Sequence, residues 1–273
     1  MSACGLCPRR CQLSEGQTGF CRARVMREGA SRPLGYGRLT SLALDPVEKK
    51  PLARFHPGGL ILSAGSFGCN MNCYFCQNHG IARAGAEEGS WREFSPRELC
   101  GLALELAPRG NIGLAFTYNE PMLNPEYIAD CADILRDMGL KTVVVTNGNF
   151  CLEAAGDTMN RVDAFNIDLK GFTEDWYRRL GGDLETVKAF IRAASRTSHV
   201  EVTTLVVPGQ NDSPEEIDAL ARWLAGVGPD IPLHLSRYFP RYRASGAPTD
   251  RRALFSLAEV ARRHLNHVLV GNV

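Results

Sequence analysis

From Leu60 to the C-terminus, short apolar runs alternate with segments of helical length, and this alternation constrains the fold more than any other feature of the 273-residue chain. Leu60-Ile61-Leu62-Ser63-Ala64 reads as a buried strand. Ser95 to about Ala107 predicts a helix, with Ser95 as N-cap, Pro96 at the first helical position and Glu98 in the first turn. Ile112 to Thr117 is the second expected strand, and Pro125 to Met138 a helix ended by Gly139. Thr142 to Thr146 and Ala164 to Leu169 follow as strands, and a helix from Leu184 to about Ala194 leads to a fifth strand, Val200 to Val207. Ser213 to Ala225 precedes the sixth strand, Leu233 to Ser236, and a helix from Asp250 to His264 precedes a short final strand, His267 to Val270. Strands separated by helices of this length imply a parallel sheet with right-handed crossovers. The fold class is therefore α/β. Six such units suit a partial (β/α)6 TIM-like barrel better than a full eight-fold one. The expected division is residues 60–273 as this barrel and residues 1–59 as a small N-terminal Cys4 module with an extended linker.

The module holds Cys4, Cys7, Cys11 and Cys21, with Pro8, Gly16 and Gly19 breaking any regular element between them. Four thiolates in so short a span suit a tetrahedral zinc or a second iron-sulfur cluster, and either would staple a segment too small for its own core. From Arg32 to Gly59 the prolines exclude long helices and leave short strands and extended connections. The charges of Glu48-Lys49-Lys50 are expected on a solvated loop.

The chain has ten cysteines and no segment that reads as a secretion signal or a membrane span, so a reducing, cytoplasmic setting is expected and metal use outranks disulfides. Cys100, Cys131 and Cys151 stand alone in predicted helices or helix starts and are expected to be buried structural thiols. A formal net charge of +1 gives no reason to expect nucleic acid or an anionic membrane as a partner.

In parallel β/α architectures ligands bind beyond the carboxyl ends of the strands, and here those ends are polar. After the first strand comes Gly68-Cys69-Asn70-Met71-Asn72-Cys73-Tyr74-Phe75-Cys76, three cysteines in one loop. A four-iron cluster usually takes four thiolates, so such a loop leaves one iron open to a substrate or cofactor. The later strand ends carry Thr117-Tyr118-Asn119-Glu120-Pro121, Thr146-Asn147-Gly148-Asn149, Asp168-Leu169-Lys170 and His234-Leu235-Ser236. Pro208-Gly209-Gln210-Asn211-Asp212, after the fifth strand, reads as a turn.

With its C-x3-C-x-aromatic-C loop, the chain resembles the radical S-adenosylmethionine (SAM) superfamily. More closely it resembles the radical SAM member of the AmmeMemoRadiSam system, through the N-terminal cysteines, DPVEKKP, GCNMNCYFCQN, TYNEP, VTNG, DLK, HVEVTTLVVPGQND and HLSRYFP. It is also similar to pyruvate formate-lyase (glycyl radical enzyme) activating proteins. The resemblance implies that Cys69, Cys73 and Cys76 ligate a [4Fe-4S] cluster whose open iron takes the amino and carboxylate groups of SAM. It further implies that Asn119 and Glu120 contact the SAM amino group and that Lys170, beside Asp168, pairs with its carboxylate. Thr146, Asn147 and His234 are candidates for the ribose or adenine. Phe75 offers adenine an apolar face or packs in the core. An electron donor such as a flavodoxin or ferredoxin is the implied partner, with a protein or peptide as a candidate substrate. Two positions depart from the activases: Val145 stands where they carry an aspartate, and Thr203 and Thr204 where they carry an arginine. The competing reading is a non-catalytic iron-sulfur or zinc protein in electron transfer or structure.

Overall fold

A computed structural model describes residues 1–273 and gathers the alternating segments into one eight-stranded sheet. Numbering only the strands of this sheet, β1 is Ser41–Pro46, β2 Leu60–Gly65, β3 Asn111–Phe116 and β4 Lys141–Thr146. They are followed by β5 Ala164–Asp168, β6 His199–Val206, β7 Leu233–Arg237 and β8 Val268–Gly271. The strands lie side by side in chain order. Those from β2 to β8 run parallel, and β1 pairs antiparallel with β2. The longer helices are α1 Pro96–Glu105, α2 Pro125–Asp137, α3 Leu152–Met159, α4 Glu174–Leu180, α5 Leu184–Ala194, α6 Pro214–Val227 and α7 Arg251–Ala261. The architecture is thus the α/β fold with a mostly parallel central sheet that the alternation implies. No helix is long and apolar enough to cross a membrane.

Side chains alternate across each strand, and the two faces separate cleanly. Leu62, Leu114, Phe116, Val144, Phe165 and Ile167 pack with Leu99, Ile128, Leu135, Val187 and Phe190 of the helices in the main core. On the opposite face Ile61, Ala115, Val143 and Ala164 join Val47 and Leu52, all buried, in a second cluster. Val47 and Leu52 belong to the segment after β1, which crosses the concave side of the sheet. There the Pro51 carbonyl accepts from Asn166 Nδ2 at 2.8 Å, and the amides of Ala53 and Arg54 donate to Glu201 at 3.0 and 2.8 Å. A segment leaving the sheet's edge can reach β5 and β6 only if the sheet curls around it, so residues 47–54 form the floor of the partial barrel.

Some expectations change. The stretch expected as extended connections supplies β1, so the main sheet recruits residues ahead of Leu60. Lys50, expected on a solvated loop, is buried with its side chain 3% exposed, whereas Glu48 and Lys49 are exposed as expected. Helices α3 and α4 were not anticipated. Cys100 and Cys131 are fully buried, but Cys151, the N-cap of α3, is only half-buried.

The N-terminal residues fold as small β pairs, Ser2–Ala3 with Gln12–Leu13 and Arg24–Arg27 with Ala30–Pro33. Buried Arg24 ties them to the barrel, its guanidinium 2.8 Å from Glu126 at the start of α2 and 3.3 Å from the Leu123 carbonyl.

Candidate functional site

The three-cysteine loop leaves β2 at Gly68, whose φ of +86° is left-handed. A Cβ at this position would lie 2.5 Å from the Cys21 carbonyl and 2.7 Å from Ala23, so only glycine passes beneath the N-terminal module. Backbone bonds then fix the loop from several sides. Gly68 N donates to Ile81 O at 3.0 Å and Asn72 N to Leu180 O at 2.8 Å, and Arg83 holds the Met71 carbonyl at 3.0 Å. Buried Asn70 accepts from Asn147 Nδ2 and donates to the Asn149 carbonyl, each at 2.8 Å. Asn147 Nδ2 also lies 3.8 Å from Cys69 Sγ.

Glu120 is buried and held by three donors, Thr146 Oγ1 at 2.7 Å, Asn147 N at 2.8 Å and Met122 N at 3.1 Å. Burial lifts its carboxyl to about 7 against the pull of those donors. Asn119 is equally engaged: its Oδ1 accepts from Ser66 N at 2.9 Å, and its Nδ2 donates to the carbonyls of Phe67 and Gly68 at 2.9 and 3.3 Å. Lys170 Nζ stands 2.7 Å from Asp168 Oδ2. Burial opposes the lysine's charge, yet Asp168 and the thiols of Cys73 and Cys76 hold its pKa above the ordinary value. Burial pushes Cys73 up to about 11 and raises Cys76 as well, and on both the Lys170 ammonium acts in the opposite direction. Burial also raises Cys69, reinforced by the Glu120 carboxylate. The structure thus brings Cys69, Cys73, Cys76, Asn119, Glu120, Thr146, Asn147, Asp168 and Lys170 to one end of the barrel.

His234 does not join them. It sits within β7, opposite Thr203 in register, with Nε2 2.6 Å from Glu201 on the barrel floor. Phe75 is buried and stacked on Trp176 at 6.0 Å between centroids, with Tyr74 and Tyr238 at its edges. Asn211, in the turn after β6, is fully buried and donates to the carbonyls of Lys170 and Leu205 at 2.8 and 2.9 Å, so this turn supports the lysine's backbone. Three contributors carried no local signal in the sequence: Arg83, Trp176, whose Nε1 donates to Lys170 O at 2.7 Å, and Tyr177, whose hydroxyl accepts from Lys170 N at 3.0 Å.

Near the N-terminus, the Cys4 amide donates to the Cys11 carbonyl at 2.8 Å, and turns at Cys7–Arg10 and Gly19–Arg22 present the other two thiols. Burial raises Cys7 to about 11, with the other three thiols of the group adding to the effect, and raises Cys21 too. All ten cysteines are free thiols, and no three His, Cys, Asp or Glu side chains converge at single-ion distances. A cubane cluster offers its irons at separate corners, so a three-thiol loop serves it without converging on one point. The donor set at Cys69, Cys73 and Cys76, three half-buried free thiols facing a lysine, fits such a cluster.

A family model described as the Radical SAM superfamily matches residues 65–224. The uncharacterized protein MJ0808 of Methanocaldococcus jannaschii is 36% identical over 276 residues, 99% of this chain and 81% of that protein. The pyruvate formate-lyase-activating enzyme of Clostridium pasteurianum is 24% identical over 59% of this chain and 67% of its own length. Among solved structures, Streptococcus suis SuiB bound to S-adenosylmethionine superposes with a TM-score of 0.59 at 14% identity, over 75% of this chain and 48% of that one. A domain of the pyruvate-formate lyase-activating enzyme from Bacteroides vulgatus does so with a TM-score of 0.51 at 20% identity, over 59% of this chain and 99% of that one. These structural likenesses speak to the fold alone, whereas the family model spans more than half of the chain. With its curled parallel sheet and its three-cysteine loop at the end of β2, the chain belongs to the radical SAM superfamily.

Proposed function

We propose that the chain is an enzyme holding a [4Fe-4S] cluster on Cys69, Cys73 and Cys76, with SAM bound beside it. The family uses both groups, and together they supply reductive cleavage of SAM and a 5′-deoxyadenosyl radical that abstracts hydrogen from a substrate. The observation that carries this reading is the meeting of three half-buried thiols with a buried carboxylate and an ammonium–carboxylate pair at one barrel end. Lys170, charged and oriented by Asp168, offers its ammonium to an amino acid carboxylate. Glu120 and the amide side chain of Asn147 face the loop beside Cys69 and suit an amino group and polar ribose atoms. Asn119 orders the loop through its backbone carbonyls, and Phe75 keeps the loop's inner side dry. His234, bonded to Glu201, is assigned to the barrel floor rather than to the cofactor.

A protein or peptide is the proposed hydrogen donor, on the similarity to an activating enzyme over 59% of the chain. A flavodoxin- or ferredoxin-like protein would supply the electron. The four N-terminal thiols are proposed as a second metal site, where a cluster suits thiols that do not converge at single-ion distances better than one zinc ion does, and reduced thiols throughout suit a cytoplasmic setting. Residues 1–59 and 60–273 are proposed as module and barrel, stitched together by β1.

Anaerobic reconstitution, reduction with dithionite and addition of SAM should release 5′-deoxyadenosine. Cys73→Ala should abolish release, and Cys7→Ala should leave it intact. A fully loaded wild-type protein that never cleaves SAM would overturn the reading. Equal loss of iron at both sites in the two variants would overturn the division between them.

A further inference from the structure

Tyr118 is an aromatic residue with a left-handed backbone, φ +72°, directly before Asn119 and Glu120. That conformation is costly for any residue with a Cβ, and it persists only where the surroundings over-determine it. The surroundings here are unusual. The ring lies against β2 at Gly65, where a Cβ would come within 2.8 Å of Tyr118 Cδ2, so the strand carries glycine at the point of contact. The phenol donates to Asp45 Oδ2 at 2.8 Å, and Lys50 Nζ donates to the same oxygen at 2.9 Å while standing 4.6 Å from the ring centroid. Asp45 and Lys50 are the polar ends of DPVEKKP, a segment that no part of the proposed chemistry uses. A buried ion pair gives little net stability over apolar packing, and stability alone does not account for placing one inside the barrel.

What the arrangement does is visible in the main chain. Because Tyr118 turns left-handed, its carbonyl points to Asn78, whose Nδ2 donates to it at 2.7 Å, two residues after Cys76. The adjoining Asn119 side chain bonds Ser66, Phe67 and Gly68, immediately before Cys69. One dipeptide therefore grips both ends of the three-cysteine loop. We propose that Tyr118 is a positioning residue, anchored by Asp45 and Lys50, that clamps the loop at both ends and sets how its three thiolates are presented. The clamp acts through Asn119 and Asn78 and touches neither cluster nor cofactor. Its effect on a cluster rests on the assignment of Cys69, Cys73 and Cys76 as ligands, whereas its effect on the loop does not.

The test uses the full chain with Tyr118→Phe, which removes the phenol's bond to Asp45 and its long contact with Lys50 Nζ, and Asn78→Ala, which removes the bond to the Tyr118 carbonyl. In the apo protein, amide hydrogen exchange over residues 66–79 should accelerate about three- to tenfold in both variants, while β5 to β7 keep wild-type protection. In the reconstituted protein, iron content should equal that of the wild type. The electron paramagnetic resonance (EPR) signal of the reduced cluster should shift, and the SAM concentration that perturbs it should rise about three- to tenfold. Tyr118→Trp, which keeps a ring N–H donor, should recover part of both effects. Wild-type exchange and an unshifted signal in Tyr118→Phe would overturn the clamp, as would faster exchange spread evenly over the sheet, the mark of a merely structural role. Cys73→Ala separates the two readings. Unchanged iron in that variant overturns the ligand assignment, and the exchange result still decides the clamp.

Discussion

Lys49 and Lys50 are adjacent and chemically identical, yet they meet opposite fates. Lys49 keeps 66% of its side chain exposed while reaching Asp45 Oδ1, and Lys50 reaches Oδ2 from within the barrel. Lys50→Met should cost about 2–4 kcal/mol by leaving Asp45, mostly shielded from water, less well compensated, and Lys49→Met less than about 1 kcal/mol. Urea unfolding of the two variants checks the contrast, and equal losses would mean that the pair is solvated. Glycines allow a similar comparison. Gly68→Ala drives a methyl into the Cys21 carbonyl at a left-handed position and should cost about 2–4 kcal/mol. At Gly80 the added methyl meets nothing within 4 Å, and Gly80→Ala should fall within about 1 kcal/mol of the wild type. Thermal denaturation distinguishes them. The motif residues were legible at this scale because cysteine spacing and strand-end carboxylates are local signals. The bonds that occupy Asn119 were not, because its partners lie about fifty residues upstream.

Among the elements, α1 shows how far local rules reach. Ser95 caps the helix by accepting from Glu98 N at 3.3 Å, and Glu98 accepts in return from Ser95 N at 2.7 Å. The bounds of this helix were readable because every residue that sets them lies within one turn. Ser95→Ala should lower stability by about 1 kcal/mol, and an unchanged urea midpoint would deny the cap its role. Helix α4 escaped notice for the converse reason: seven residues are too few to display a helical period, although Thr173 caps it and Gly181 closes it with a φ of +74°. Strand β1 was hidden differently. Leu42, Ala43 and Leu44 are only half-buried on a sheet edge, and nothing in their spacing distinguishes an edge strand from an extended linker.

For the whole molecule, Glu201 joins the floor to the wall. Burial alone would raise its carboxyl, but His199, His234 and the amides of Arg54 and Ala53 outweigh burial and hold it down to about 2. A carboxyl lower in the folded chain than in the unfolded one stabilises the fold above the unfolded pKa, and that stability fades as pH falls toward the folded value. The contribution is on the order of 3 kcal/mol at neutral pH, and about half of it should be gone at pH 3, the rest being lost below the folded pKa. Urea midpoints measured at pH 7, 5 and 3 should therefore drop chiefly between the last two, and the drop should shrink in Glu201→Gln. An equal acid loss in the variant would place the sensitive carboxylate elsewhere. The sequence by itself determined the order of the seven parallel strands and of five of the seven longer helices, the three-cysteine loop and the polar strand ends, because periodicity, caps and ligand spacing act over a few residues. Only the tertiary structure decided that DPVEKKP enters the barrel, that His234 serves Glu201, and that Tyr118 and Asn119 hold the loop from both sides. Each of those outcomes depends on which distant groups the curling of the sheet buries together, and burial is a property of the packed chain rather than of any stretch of it.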